Sequence, residues 1–153
     1  PSAEHYGALA AALAGATTDV VVLGSAKERA IGDDVAARAA SARVRNLCGE
    51  TSLADAVDLL AAADVAVSND SGLLHVAAAA GAPVVAIYGS SSPKFTPPLT
   101  DDAAVVSLEI ECSPCFAREC PLGHMKCLND LRPATVLGAV ETLRAARRSG
   151  DRR

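Results

Sequence analysis

Aromatic side chains are scarce in this sequence: 3% of the 153 residues, with no Trp, two Tyr, two Phe and a single Met. Half of the residues are nevertheless hydrophobic, most of them Ala, Val and Leu, so the core must come from small side chains at close range, which suits helices packed on a sheet. Charge of one sign is also lacking. Against 14 basic residues stand 18 acidic ones, a formal net charge of -4, and this balance argues against nucleic acid as a partner. The one local excess is Arg144, Arg147, Arg148, Arg152 and Arg153, which reads as the cationic end of a helix. No apolar run is long enough to span a bilayer, and the N-terminus has no charged stretch followed by a signal-type apolar core. The expectation is a soluble domain. There is no internal repeat and no low-complexity tract. The chain opens at Pro1 rather than Met, which reads as an end made by processing or cut from a longer protein. Its length suits one domain over residues 1–153.

What is present is a rhythm of short Val-rich runs and Ala-rich helical stretches. Helices are expected over residues 3–14, 27–40, 52–63, 71–80 and 132–148, and strands over 19–23, 44–47, 65–68, 84–88 and 104–108. Ser52 with Asp55 three residues on resembles a capping pair, Gly81 is a helix stop, and Pro133 fits the first turn of the closing helix. Continuously apolar strands alternating with helices imply a parallel sheet covered on both faces, an α/β, Rossmann-like, doubly wound architecture. Residues 90–102, dominated by Ser, Pro and Thr, read as an ordered surface loop or lid. A Cys-rich loop, 110–129, is inserted before the closing helix.

In an open parallel sheet, ligands bind beyond the carboxyl ends of the strands. Gly24 and Ser25, Glu50 and Thr51, Asp70 to Gly72, and residues 89–92 each follow a strand, and are expected to line one crevice. Neither GxGxxG nor GxxxxGK followed by Ser or Thr occurs, so a phosphate cradle here must be of another kind. The segment Asn69, Asp70, Ser71, Gly72, Leu73, Leu74, His75 supplies one. Backbone N–H groups of Ser71 and Gly72 at a helix N-terminus can hold phosphate oxygens, and the bare Cα of Gly72 permits close approach. Asp70, an anion, is better suited to capping the helix or accepting hydrogen bonds from sugar hydroxyls. His75, four residues after Ser71, shares its helical face and can donate to a phosphate or hydroxyl. Taken alone, the same residues read equally well as an N-cap and a histidine satisfied at the sheet edge.

The run from Val67 through His75 to Ala79 resembles the ADP-heptose:lipopolysaccharide heptosyltransferases of glycosyltransferase family nine. The later Tyr88, Gly89, Ser90, Ser91, Ser92, Pro93, followed by Phe95, Thr96, Pro97 and Pro98, is similar to the heptosyltransferase II branch. The likeness runs from Pro1, Ser2, Ala3, Glu4, His5, Tyr6 to the final helix. It implies the C-terminal half of a GT-B glycosyltransferase, whose other, N-terminal domain supplies the acceptor site and the general base. No catalytic residue is then expected in this chain, which alone would be inactive. By the same resemblance the Ser71 and Gly72 backbone binds a diphosphate and Asp70 the heptose hydroxyls, while His75 supports the phosphate region. Glu28, beside Ser25, would accept from ribose hydroxyls and Thr51 would sit by the adenine. The phosphate-contacting Lys of such enzymes normally lies just before the segment that starts here at Pro1. The implied reaction is inverting transfer of heptose from ADP-heptose to the inner core of a lipopolysaccharide precursor, with no cofactor or metal in the chemistry. It implies a cytoplasmic location at the inner face of the inner membrane, with peripheral membrane association.

Cys112, Cys115, Cys120 and Cys127 fall at C-x2-C-x4-C-x6-C, with Cys48 remote. The first pair has metal-ligand spacing, but the second lacks a repeated CxxC. A structural zinc site, an iron–sulfur cluster, local disulfides and free thiols all remain open, with disulfides disfavoured in the cytoplasm. Two other functions compete with the transferase: an epimerase-like nucleotide-sugar enzyme of the same architecture, and a non-catalytic metal-binding module built on the Cys-rich loop.

Overall fold

The computed structural model describes residues 2–150; the boundary read at Pro1 and the cations Arg152 and Arg153 lie outside the described residues. Helices and strands alternate as α1 (Ala3–Leu13), β1 (Val20–Val22), a 3-10 turn (Ala26–Glu28), α2 (Arg29–Ala39), β2 (Val44–Asn46), α3 (Leu53–Ala61), β3 (Ala66–Asn69), α4 (Gly72–Ala79), β4 (Val84–Tyr88), β5 (Ala103–Ser107), α5 (Lys126–Asn129) and α6 (Pro133–Gly150). Every strand pair is parallel, as short apolar strands separated by helices require. The pairing yields a two-stranded sheet, β1-β2, and a three-stranded sheet in the order β3-β4-β5. They belong to two compact units, the first reaching to Ala56 and including Arg132–Leu137, the second comprising Val57–Leu131 and the helical stretch from Gly138.

The core of the first unit is made of small residues. Ala10 on α1, Val35 and Ala39 on α2, and Val44 on β2 are buried together, with Tyr6, Val20, Val22 and Ala36 packed around them. Here α2 starts later than the apolar pattern suggests. The Glu28 carboxylate turns back onto Ser25, accepting its backbone N–H at 2.7 Å and its hydroxyl at 2.8 Å. That reciprocal bond holds residues 26–28 in a 3-10 turn, a common way for a helix to begin. At the start of α3 the expected pair is formed: Asp55 Oδ2 accepts the Ser52 backbone N–H and hydroxyl at 2.8 and 2.7 Å, and the Ser52 hydroxyl accepts the Asp55 backbone N–H at 3.2 Å.

In the second unit β4 is the middle strand, and all five of its side chains are buried. A parallel strand paired on both edges and covered on both faces has no polar side to show, which explains the unbroken Val-Val-Ala-Ile-Tyr. Leu74, Ala77 and Ala78 form the buried face of α4, the i, i+3, i+4 spacing of an amphipathic helix. The cations of α6 find anions within this unit: Arg144 lies 3.4 Å from Asp64 and Arg147 3.5 Å from Asp102. Among the described residues no helix is long and apolar enough to cross a membrane.

Candidate functional site

Parallel pairing puts Asn69 opposite Ile87, and the Asp70 N–H donates to the Ile87 carbonyl at 3.1 Å, so the edge of the sheet is held one residue beyond β3. The chain then turns into α4 through Ser71, whose extended backbone (φ -155, ψ 169) occupies the N-cap position. The Ser71 side chain does not cap the helix; its hydroxyl lies 3.1 Å from that of Ser68 instead. The Leu74 N–H donates to the Ser71 carbonyl at 3.2 Å, but with no side-chain cap the Gly72 and Leu73 N–H groups keep their capacity for an incoming anion. A Cβ built on Gly72 would meet nothing within 4 Å. Packing does not demand glycine there.

Asp70 is not the cap. Its Oδ2 accepts the Thr96 hydroxyl at 2.9 Å, across 26 residues of sequence. Its Oδ1 stands 3.8 Å from His75 Nε2, too far for a hydrogen bond. The Asp70 side chain is 16% exposed and that of His75 36%, and His75 Nδ1 is buried without a partner. Thr96 is in turn fixed from behind: the buried Tyr88 phenol donates to its carbonyl, and the Ser92 carbonyl accepts the N–H groups of Phe95 and Thr96 at 3.0 and 3.2 Å. Burial, with the Asp70 carboxylate nearby, pushes the Tyr88 phenol up, so this hydroxyl stays a donor at neutral pH.

The loop expected over 90–102 is thus tied to the site, and the Cys-rich loop is tied to it. Phe116 N–H donates to the Ser90 carbonyl at 2.7 Å, and the Ser113 hydroxyl donates to the Gly89 carbonyl. The rings of Phe95 and Phe116 meet edge to face with centroids 5.3 Å apart. Neither Thr96 nor Tyr88 stood among the site residues expected from sequence, because nothing local joins positions 70, 88 and 96.

The metal set expected at Cys112, Cys115, Cys120 and Cys127 is not assembled. All five cysteines are free, and among the described residues no group of three or more His, Cys, Asp or Glu side chains is placed to hold an ion. Cys115 is exposed, and the Cys120 sulfur is turned onto its own loop, accepting the Met125 N–H at 3.4 Å. That bond, with further backbone N–H groups, lowers the Cys120 thiol, whereas burial and the neighbouring thiols raise Cys127 on α5.

In the first unit Ser25, Glu28 and Thr51 follow β1 and β2. The Gly49 N–H donates to the Gly24 carbonyl at 2.9 Å, joining the two turns that carry them. Arg29 pairs with Glu50 at 2.6 Å and donates to the Cys48 carbonyl at 3.1 Å. One oxygen of Glu28 already holds both donors of Ser25, and these bonds, backbone first, set its carboxyl below the usual range. A depressed carboxyl stabilises the fold above its unfolded-state pKa, about 4.3, and the contribution disappears as pH falls through the folded value. Paired urea titrations should therefore show wild type more stable than Glu28→Gln at pH 7, with the difference narrowing at pH 3. An equal gap at both pH values would show that the carboxylate contributes nothing by its charge.

The sequence profile described as Glycosyltransferase family 9 (heptosyltransferase) matches residues 2–126. Lipopolysaccharide heptosyltransferase 2 of Salmonella typhimurium is 43% identical over 142 residues, covering 91% of this chain and 41% of that protein. Lipooligosaccharide heptosyltransferase 2 of Haemophilus influenzae is 38% identical over 146 residues, covering 92% and 42%. The solved Escherichia coli ADP-heptose lps heptosyltransferase II superposes with a TM-score of 0.82 at 40% identity, over 95% of this chain and 42% of that one. A family 9 glycosyltransferase from Veillonella parvula, 23% identical with a TM-score of 0.80 over 95% and 42% of the two chains, shares the fold. The chain spans about two fifths of the length of the curated relatives it matches. With its α/β fold, its parallel strands and the Asp70 to His75 turn, the chain belongs to glycosyltransferase family 9, the heptosyltransferases.

Proposed function

We propose that this chain is the C-terminal, donor-binding half of a GT-B heptosyltransferase that moves heptose, with inversion, from ADP-heptose to the lipopolysaccharide inner core. The observation that carries the proposal is the start of α4, where an N-terminus without a side-chain cap opens beside the free space at Gly72 and is flanked by Asp70 and His75. Amides aimed at a diphosphate stabilise the charge that grows on it as the bond to the sugar breaks, and they need no reorganisation to do so. Asp70 is an acceptor for sugar hydroxyls and His75 a donor at the same turn. Within the first unit, Ser25, Glu28 and Thr51 are the proposed contacts for a nucleoside. In the reaction an acceptor hydroxyl oxygen bonds to the anomeric carbon as the bond to the diphosphate breaks, and a base in the acceptor half takes the hydroxyl proton. The proposed place of action is the cytoplasmic face of the inner membrane, reached peripherally.

Calorimetric titration with ADP-heptose, ADP and UDP tests this. ADP should bind, ADP-heptose should bind more tightly, and neither should be turned over by this chain alone. A preference for UDP would overturn the assignment.

A further inference from the structure

The carboxylate of Asp70 is divided in its duties. Oδ2 is occupied by the Thr96 hydroxyl at 2.9 Å, while Oδ1 faces His75 Nε2 across 3.8 Å. Two polar atoms at that separation are too far apart to bond each other, yet one hydroxyl oxygen placed between them lies within hydrogen-bonding distance of both. Such a hydroxyl donates to Oδ1 and accepts from the imidazole N–H. The gap exists only while the carboxylate keeps its rotamer, because rotation about its last bond would exchange the oxygens or bring one onto His75. Thr96 prevents that rotation, and it is itself overdetermined. Its carbonyl is held by the buried Tyr88 phenol, its N–H by the Ser92 carbonyl, and its hydroxyl also lies 3.4 Å from that same carbonyl. Tyr88 sits at the end of the fully buried β4, so the orientation of Asp70 is referred back to the buried middle strand of its sheet.

We propose that Thr96 is a positioning residue for sugar recognition, holding Asp70 so that Oδ1 and His75 Nε2 together receive one hydroxyl of the donor's sugar. This deepens the donor-binding assignment and rests on it. The Thr96 hydroxyl bonds to Asp70 and not to the start of α4, so its effect is expected to fall on the sugar rather than on the diphosphate. Threonine meets the need because its branched Cβ limits χ1, fixing the hydroxyl direction better than serine does.

Titration of wild type, Thr96→Val, Thr96→Ser and Tyr88→Phe with ADP and with ADP-heptose separates these roles, with a thermal melt of each variant. Thr96→Val should weaken ADP-heptose about tenfold, the loss of one hydrogen bond to a charged group, and leave ADP within about twofold. Thr96→Ser, which keeps the hydroxyl, should recover most of the sugar-dependent affinity, and Tyr88→Phe should lose part of it. ADP-heptose binding to Thr96→Val at wild-type strength overturns the proposal. Equal losses for ADP and ADP-heptose, unrelieved by serine, overturn it too, since they mark a loop needed for folding alone. A wild-type chain that binds ADP but does not prefer ADP-heptose removes the sugar role of Asp70 and Thr96 together. One that binds neither removes the donor assignment itself.

Discussion

Gly72→Val is expected to leave folding stability within about 1 kcal/mol of wild type while weakening ADP binding at least about tenfold. The two halves of that expectation have separate causes. A Cβ at position 72 meets nothing within 4 Å, and the residue lies at the first position of α4, where any helix former is as good as glycine. The folded chain has no use for the bare Cα. A phosphate oxygen approaching the helix N-terminus does, because a branched side chain would occupy the space through which the amides are reached. Urea unfolding and ADP calorimetry on the same preparation make the comparison. Undiminished ADP affinity would mean that the diphosphate lies elsewhere.

Gly49→Ala is expected to act in the opposite way, through the fold. Gly49 has φ +75, and a Cβ there would stand 2.7 Å from the backbone Cα of Ala26. The left-handed conformation alone costs an L-residue about 1–2 kcal/mol, and the clash is with backbone, which cannot rotate away. A loss of at least about 2 kcal/mol follows, or roughly 4–8 °C in Tm for a chain of this size. The same substitution disturbs the bond from Gly49 N–H to the Gly24 carbonyl, which joins the turns bearing Ser25 and Thr51. Differential scanning calorimetry checks the first consequence, and an unchanged Tm would show that the 24–26 turn yields freely.

Much of the fold was legible because its signals are local. The Val-rich run of β4 lies where periodicity puts it, at Val84–Tyr88, since a strand buried on both faces admits only apolar residues. Ser52 and Asp55 form their capping pair because they need only each other. The α-helix α2 starts later than propensity suggests for a reason just as local: Lys27 and Glu28 are good helix formers, but the Glu28 carboxylate closes on Ser25 instead. Short α5 leaves no mark in the sequence, since its four residues carry no periodicity. The cysteine spacing suggested metal ligands, yet spacing fixes only separation along the chain. The direction of each sulfur depends on the loop, and the Cys120 thiol faces the Met125 N–H.

By itself, then, the sequence determined the alternation of parallel strands and helices, the small-residue core, and the turn from Asn69 to His75 that resembles the heptosyltransferases. Each follows from interactions between residues a few positions apart. Only the tertiary structure decided what Asp70 does. Parallel pairing carries the end of β3 beside the end of β4, the loop after β4 returns to that edge, and Thr96 arrives at Asp70 from 26 residues away. An apparent helix cap became an oriented acceptor because a hydrogen bond between distant segments exists only once the sheet has aligned them.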